Sequence, residues 1–157
     1  MFKFITIIVV LLQISASMSE LQDAMPSTTM GSKEFMLGFF FKANWYRAMQ
    51  FCRFHGMQLA SIESQSEHDA VVGLMTDLRM RDERFWISGN DLANEGNFFW
   101  MANGRPLTYT NWFNGEPNHI GIERCVELWN RNVATNPIMW NNFFCTSELF
   151  FICERFV

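Results

Sequence analysis

Four cysteines constrain the fold of this chain more than any other feature of its sequence. They are Cys52, Cys125, Cys145 and Cys153. No two of them have the Cys-x-x-Cys spacing of a zinc ribbon, and an even number in a secreted chain indicates two disulfides with three possible pairings. In the nested pairing, the outer bridge Cys52–Cys153 would tie an early helix to the final strand, and Cys125 would pair with Cys145.

The first nineteen residues predict that the chain is secreted. Lys3 precedes an apolar run at residues 4–12, and small residues at positions 15–19 offer a cleavage site, as in a signal peptide. The run is shorter than the ~20 apolar residues that a membrane span requires. We therefore expect a signal peptide at residues 1–19, a loose N-terminal arm at residues 20–32, and one soluble extracellular domain at residues 33–157.

Charge and motif content argue against two classes of function. The net charge of −4 comes without any Lys/Arg cluster of the type that binds nucleic acid. Neither His-Glu-x-x-His nor Gly-x-Ser-x-Gly occurs. Glu116 and Glu123 could form the carboxylate pair of a glycoside hydrolase, but the asparagines beside them favour metal coordination. We expect neither a nucleic-acid partner nor an enzyme.

Residue patterns predict two helices in the first half of the domain. Asn44 can cap a helix whose apolar face includes Trp45 and Cys52, and Gly56 lies where that helix should end. A capping box at residues 64–67 opens the second helix. That helix should direct four apolar residues inward: Ala70, Val71, Leu74 and Leu78.

Short strands and one long loop make up the rest. Apolar runs predict strands near residues 34–41, 85–87, 98–101, 125–129 and 150–153. Residues 102–124 are irregular, and a loop of that length inside a compact domain is usually functional. This order of elements predicts an α+β fold with a mainly antiparallel sheet.

Oxygen-bearing side chains concentrate in and after this loop: Glu116, Asn118, Glu123, Asn141 and Asn142. Ca²⁺ takes roughly six to eight oxygen ligands from carboxylates and amide carbonyls. An asparagine ligand can still donate from its NH₂ group, and a glutamate ligand can still accept. Two hydroxyls of a sugar could therefore bind the cation and both side chains together. Pro117 matters because an X-Pro bond can be cis, which would turn its two neighbours towards one point.

A series of motifs in a consistent order resembles the C-type lectin-like domain. The match extends over roughly residues 33–154, and a chain with four cysteines is similar to small secreted arthropod lectins. The motifs are Trp45-x-x-Ala48-x-x-x-Cys52, Gly56 to Ile62, Ser64-x-x-Glu67, Trp86-Ile87-Ser88-Gly89, Trp100, Pro106-Leu107, Asn111-Trp112, Gly115-Glu116-Pro117-Asn118, Glu123-x-Cys125, Trp140-Asn141-x-x-x-Cys145 and Phe151 to Glu154.

This resemblance implies two helices flanking a small sheet, the nested disulfides and a long ligand-binding loop. It assigns Glu116 and Asn118 to a principal calcium and sugar site, with Pro117 cis, and adds Glu123 and Asn141 as further ligands. In this family Glu-Pro-Asn goes with mannose-type sugars, which have equatorial vicinal hydroxyls. The implied cofactor is calcium, and the implied partners are glycans or glycoproteins.

The principal site departs from the family pattern at one position. Asn142 stands where the family usually has aspartate. The cation would then meet two formal negative charges, from Glu116 and Glu123, and bind more weakly than in a site with three. Glu127 could compensate in part, but strand alternation from Cys125 favours a surface or buried-pair role.

An auxiliary calcium site is incomplete in this sequence. Asp91 and Glu95 match its first two ligands by spacing. His119 occupies a position where calcium-rich members carry aspartate, and histidine is a poor ligand for a hard cation.

These departures favour a second interpretation, a lectin-like protein that binds a protein or surface ligand without calcium. A single sugar site would bind weakly, so a homodimer is a possible means of raising avidity. Phe113 is the better aromatic candidate for contact with a sugar ring, and Arg84 belongs to a mixed-charge surface turn. Four tryptophans are predicted core residues: Trp45, Trp86, Trp100 and Trp140.

Overall fold

A computed structural model describes residues 25–130 and 138–157. The predicted signal peptide and the first residues of the predicted arm lie outside these ranges. Within them the chain forms two helices and eight strands. The elements are β1 (Ser27–Met30), β2 (Lys33–Ala43), α1 (Trp45–Phe54), β3 (Gln58–Leu59), α2 (Gln65–Asp77), β4 (Phe85–Asn90), β5 (Phe99–Trp100), β6 (Glu123–Trp129), β7 (Met139–Phe144) and β8 (Leu149–Phe156).

The strands form one sheet that is mainly antiparallel, as the sequence predicts. Its order is β1-β2-β8-β4-β6-β7, with β3 added to β8 and β5 added to β4. Only the pairing of β4 with β8 is parallel among the described strands. The last strand of the chain therefore lies in the interior of the sheet, where it pairs with β2, β3 and β4.

Both helices begin at the predicted caps. The Asn44 side chain accepts a hydrogen bond from the Arg47 backbone N–H at 3.0 Å. The Ser64 hydroxyl accepts from the Glu67 N–H at 3.2 Å. Gly56 follows α1 with a φ of 71°, a left-handed conformation that suits glycine because it has no Cβ. Local side-chain chemistry therefore sets where the helices start and stop.

The buried face of α2 matches the prediction at Val71, while Ala70 and Leu74 are half-buried. Its buried residues are His68, Val71 and Met75, whereas Leu78 is exposed by 37%. The prediction used the spacing of apolar residues and therefore left His68 out of the buried face. A buried imidazole is tolerated when it is hydrogen-bonded. A ring nitrogen of His68 lies 3.0 Å from the Ile138 carbonyl, and this contact gives the imidazole a polar partner on the inward face of the helix.

The core and the disulfides agree with the sequence. The four predicted core tryptophans are each exposed by 1% or less. Cys52 bonds to Cys153 and Cys125 bonds to Cys145, with Cα separations of 5.6 and 5.2 Å. Because β8 is interior, the outer bridge fixes α1 to the middle of the sheet.

Three strands were not predicted: β1, β7 and the two-residue β3. Ser27–Met30 lies in the predicted loose arm but pairs antiparallel with β2. Met139–Phe144 contains two buried asparagines and pairs with β6, and its polar content concealed a strand pattern. Neither helix in the described part of the chain is long and apolar enough to cross a membrane.

Candidate calcium and carbohydrate site

The long loop before β6 is anchored to β7 just ahead of the candidate ligands. The Phe113 N–H donates to the Trp140 carbonyl at 2.9 Å, and the Trp140 N–H donates to the Asn111 carbonyl at 2.7 Å. The Glu116 N–H then donates to the Phe113 carbonyl at 2.9 Å, which closes a turn. The backbone therefore brings residues 116–118 against the strand that carries Asn142.

Glu116 and Asn118 face each other across the proline between them. The peptide bond from Glu116 to Pro117 is cis, as predicted. The Asn118 amide group donates to Glu116 Oε1 at 2.9 Å, and the Asn118 backbone N–H donates to Glu116 Oε2 at 3.1 Å. One carboxylate and one amide group are thus held side by side on a partly exposed surface.

Asn142 connects this pair to the start of β6. Its side chain is fully buried. Its Oδ1 accepts from the Asn118 N–H at 3.1 Å, and its Nδ2 donates to the Glu123 carbonyl at 2.9 Å. Four of the five predicted residues are therefore joined by direct contacts: Glu116, Asn118, Glu123 and Asn142.

Asn141 reaches a different carboxylate. Its Nδ2 donates to Glu127 Oε1 at 2.8 Å, opposite it in the β6–β7 register. Burial raises the pKa of the Glu127 carboxyl, while Arg84 and Asn141 act in the opposite direction and the nearby charge of Glu123 raises it further. The described contact of the Asn141 amide is therefore with Glu127.

Arg84 forms the other side of this buried pair. Its Nε donates to Glu127 Oε2 at 2.7 Å, and its second guanidinium nitrogen contacts Oε1. The guanidinium also lies over the Phe143 and Trp129 rings, 4.0 and 4.5 Å from their centroids. The prediction of a surface turn was wrong for Arg84. The sequence had left a surface role and a buried-pair role open for Glu127; the structure shows the buried pair, and nothing local indicated its partner.

The donor set fits calcium in kind. Carboxylate and amide oxygens are the ligands of hard cations, and the residues above offer both. No group of three or more His, Cys, Asp or Glu side chains is poised for a metal within the described ranges. A cation at this site would therefore depend on asparagine oxygens as well as on Glu116 and Glu123.

The two residues assigned to an auxiliary site lie on the turn after β4, and both contact a cation of the chain itself. Arg124 Nη2 lies 2.6 Å from Glu95 Oε2, and its Nη1 lies 3.5 Å from Asp91 Oδ2. His119 Nδ1 is 3.6 Å from the same Asp91 oxygen. The sequence had not indicated that Arg124 would join the two carboxylates.

Phe113 does not present a free aromatic face. It is exposed by only 7%, and its ring packs edge-on against Trp129 at 6.3 Å. The prediction of a sugar contact failed because the hydrogen bond between Phe113 and Trp140 turns this residue into the core. The exposed apolar side chains of the loop are instead Ile120 and Ile122, at 66% and 73%.

Comparison with known proteins assigns the family. The family model described as Lectin C-type domain matches residues 41–155. The chain therefore belongs to the C-type lectin family, a non-enzymatic group whose members generally bind glycans and calcium.

Individual relatives support this assignment. Salivary C-type lectin 2 of Aedes albopictus is 37% identical over 117 residues, covering 72% of this chain and 78% of that protein. The cow CD23 carbohydrate-recognition domain, solved in the presence of a GlcNAc2Man3 oligosaccharide, has a TM-score of 0.70 and 32% identity, covering 84% of this chain and 94% of that one. Herring type II antifreeze protein has a TM-score of 0.71 and 25% identity, covering 85% and 98%.

Proposed function

We propose that this chain is a secreted, calcium-dependent lectin for mannose-type sugars. The observation that carries the proposal is the paired carboxylate and amide of Glu116 and Asn118, tied by Asn142 to the start of β6. Two disulfides support an oxidising compartment. A salivary relative and a structural neighbour solved with an oligosaccharide support the location and the ligand class.

Calcium would be held by oxygens of Glu116, Asn118, Glu123, Asn141 and Asn142. When bound, the cation supplies open coordination positions for two sugar hydroxyls. The chain's own contribution is orientation. Glu116 can accept a hydrogen bond from one hydroxyl, while the Asn118 amide can donate to the other. This order of acceptor and donor is the basis for proposing equatorial vicinal hydroxyls, as in mannose.

The proposal predicts chelator-sensitive retention on immobilised mannose. The wild-type protein should bind in the presence of calcium and elute with EDTA. Glu116→Ala combined with Asn118→Ala should weaken binding by more than about 100-fold. Mutating even the residues that hydrogen-bond to metal ligands typically lowers metal affinity by roughly 10–100-fold. Affinity chromatography and calorimetry measure the two effects.

The control for that experiment is Glu148→Ala, which removes an exposed glutamate outside the described contacts of the site. It should bind like the wild type. Mannose retention that EDTA leaves unchanged would contradict the calcium mechanism. Retention equal to wild type in the double variant would remove Glu116 and Asn118 from the site.

A second candidate is binding of a protein or surface ligand without calcium. Asn142 favours it, because its hydrogen bonds to Asn118 and Glu123 hold the loop with no metal. The herring neighbour with the same fold is named for antifreeze rather than sugar. If millimolar calcium gives neither heat nor a rise in melting temperature, this candidate replaces the first, since a ligand of the folded state must stabilise it. A homodimer would raise avidity under either candidate.

A further inference from the structure

Arg124 contacts both carboxylates that the family resemblance assigns to an auxiliary metal site. Its guanidinium contacts Glu95 at 2.6 Å and Asp91 at 3.5 Å. The Asp91 side chain is fully buried, whereas the Arg124 side chain retains 25% exposure. A buried carboxylate needs a cation or several donors to stay charged, and this guanidinium is the nearest cation to it among the described contacts.

Polar groups from three segments approach the Oδ2 atom of Asp91. The Gly96 N–H donates to it at 2.8 Å, and Arg124 and His119 approach at 3.5 and 3.6 Å. A divalent ion bound at this oxygen would have to displace the Gly96 N–H and the Arg124 guanidinium. It would also have to approach the positive charge of the Arg124 guanidinium.

The backbone couples the same elements. The Asp91 N–H donates to the Arg124 carbonyl at 3.1 Å, and the Asn94 N–H donates to the Asp91 carbonyl at 3.1 Å. The turn after β4 is thus attached to β6 by a backbone bond and by the Arg124 side chain. Arg124 directly follows Glu123, whose carbonyl binds Asn142.

We propose that Arg124 is a built-in cation that closes the auxiliary position to calcium. It holds residues 91–96 against β6 whether or not calcium is present. The chain then takes up calcium only at the Glu116 site, and that part of the inference rests on the proposed function. Arg124 is a positioning residue here, since it orients Asp91 and Glu95 rather than a ligand.

Hydrogen exchange at the Gly96 amide tests the positioning role. Arg124→Ala should speed its exchange by about tenfold or more, the scale expected for a hydrogen bond to a charged group, equally in calcium and in EDTA. Arg124→Lys should give a smaller effect because it keeps the charge. Arg155→Ala, which removes a 2.7 Å ion pair with Glu34, should leave this amide unchanged. An Arg124→Ala rate equal to wild type, or calcium protection of Gly96 in the wild type, overturns the proposal.

Calorimetry tests the closure of the position. The Glu116→Ala/Asn118→Ala variant retains Asp91, Glu95 and Arg124. Titration of this variant with calcium should give the same heat with and without the additional substitution Asp91→Asn. A binding heat that disappears with Asp91→Asn overturns the proposal. Asp91 Oδ1 has no hydrogen-bond partner among the described residues, so it is the atom through which calcium would enter.

The two proposals can fail separately. If the wild-type protein binds no calcium at all, the proposed lectin mechanism fails. The exchange rate of Gly96 in EDTA still decides the role of Arg124.

Discussion

At the residue scale, the pair of Arg84 and Glu127 buries a charge close to Asn141 of the candidate site. Glu127 is fully buried, and a charge in that position is costly unless it is paired and hydrogen-bonded. Arg84 supplies two contacts and Asn141 a third. The pair therefore stabilises Glu127 in the charged state and holds the Asn141 amide in one orientation.

Arg84→Ala should destabilise the fold by about 3–5 kcal/mol, because it leaves a buried carboxylate without its cation. The loss should be smaller at pH 5 than at pH 8, since an unpaired buried Glu127 can take up a proton. Urea unfolding at the two pH values measures both effects.

Arg105→Ala is the matched control. Its side chain is 74% exposed and lies 3.9 Å from Glu63, and exposed pairs are worth roughly 0–1 kcal/mol. Equal losses for Arg84→Ala and Arg105→Ala would show that the buried pair contributes no more than a surface contact.

At the element scale, a buried carboxylate on β8 joins two segments of the chain. Glu154 accepts from the Ser61 backbone N–H at 2.9 Å and lies 3.8 Å from the Lys33 ammonium. Burial raises the pKa of Glu154 to about 7, against the lowering effects of Ser61 and Lys33. Burial would lower the pKa of Lys33, but its bond to Glu63 and the surrounding carboxylates raise it above 10.5. Lys33 therefore stays charged while Glu154 titrates.

The sign of the pH effect follows from the raised pKa of Glu154. The folded state binds this proton more tightly than the unfolded state, whose carboxyl has the ordinary value of 4.5. The stability from Glu154 is complete below pH 4.5 and is lost as pH rises through about 7. Its upper limit is about 3 kcal/mol, at about 1.4 kcal/mol per pKa unit.

Glu154→Gln should remove this pH dependence, because an amide does not titrate. The difference in unfolding free energy between wild type and variant, measured from pH 4 to 8, should shift by up to about 3 kcal/mol in favour of the variant. The contribution of His68 is the same in both proteins and therefore cancels in this difference. Burial lowers the pKa of His68, so its contribution to stability is lost as pH falls, in the direction opposite to that of Glu154. A difference that stays flat over this range would contradict the raised pKa of Glu154.

At the scale of the whole molecule, the nested disulfides close loops of very different length. Cys52–Cys153 spans 101 residues and Cys125–Cys145 spans 20. In the chain-entropy model a longer closed loop removes more freedom from the unfolded chain. The outer bridge should therefore be the more stabilising of the two.

Replacing Cys52 and Cys153 by alanine should cost about 4–5 kcal/mol, and replacing Cys125 and Cys145 about 3 kcal/mol. Thermal and urea unfolding of the two double variants, each with the other bridge intact, measure the difference. A larger loss for the inner bridge would show that native-state packing, rather than loop closure, dominates.

Much of this molecule could be predicted from local pattern. Helix caps at Asn44 and Ser64, the buried tryptophans and the cis proline between Glu116 and Asn118 depend on residues close in sequence. Their physical causes, hydrogen bonds to nearby N–H groups and the unusual cis tendency of X-Pro bonds, are local as well. The disulfide pairing could also be predicted, because the family motifs imply it.

The remaining features depended on contacts between distant segments. Arg84 and Glu127 are 43 residues apart, and Arg124 and Glu95 are 29 apart. Partner choice at such separations is set by sheet register and by which side chains share a dry interface, and no local pattern records either. The sequence by itself determined the class of fold and the oxygen-rich loop. Only the tertiary structure decided which carboxylates face that loop and which already have a cation, because desolvation and pairing exist only after the strands have come together.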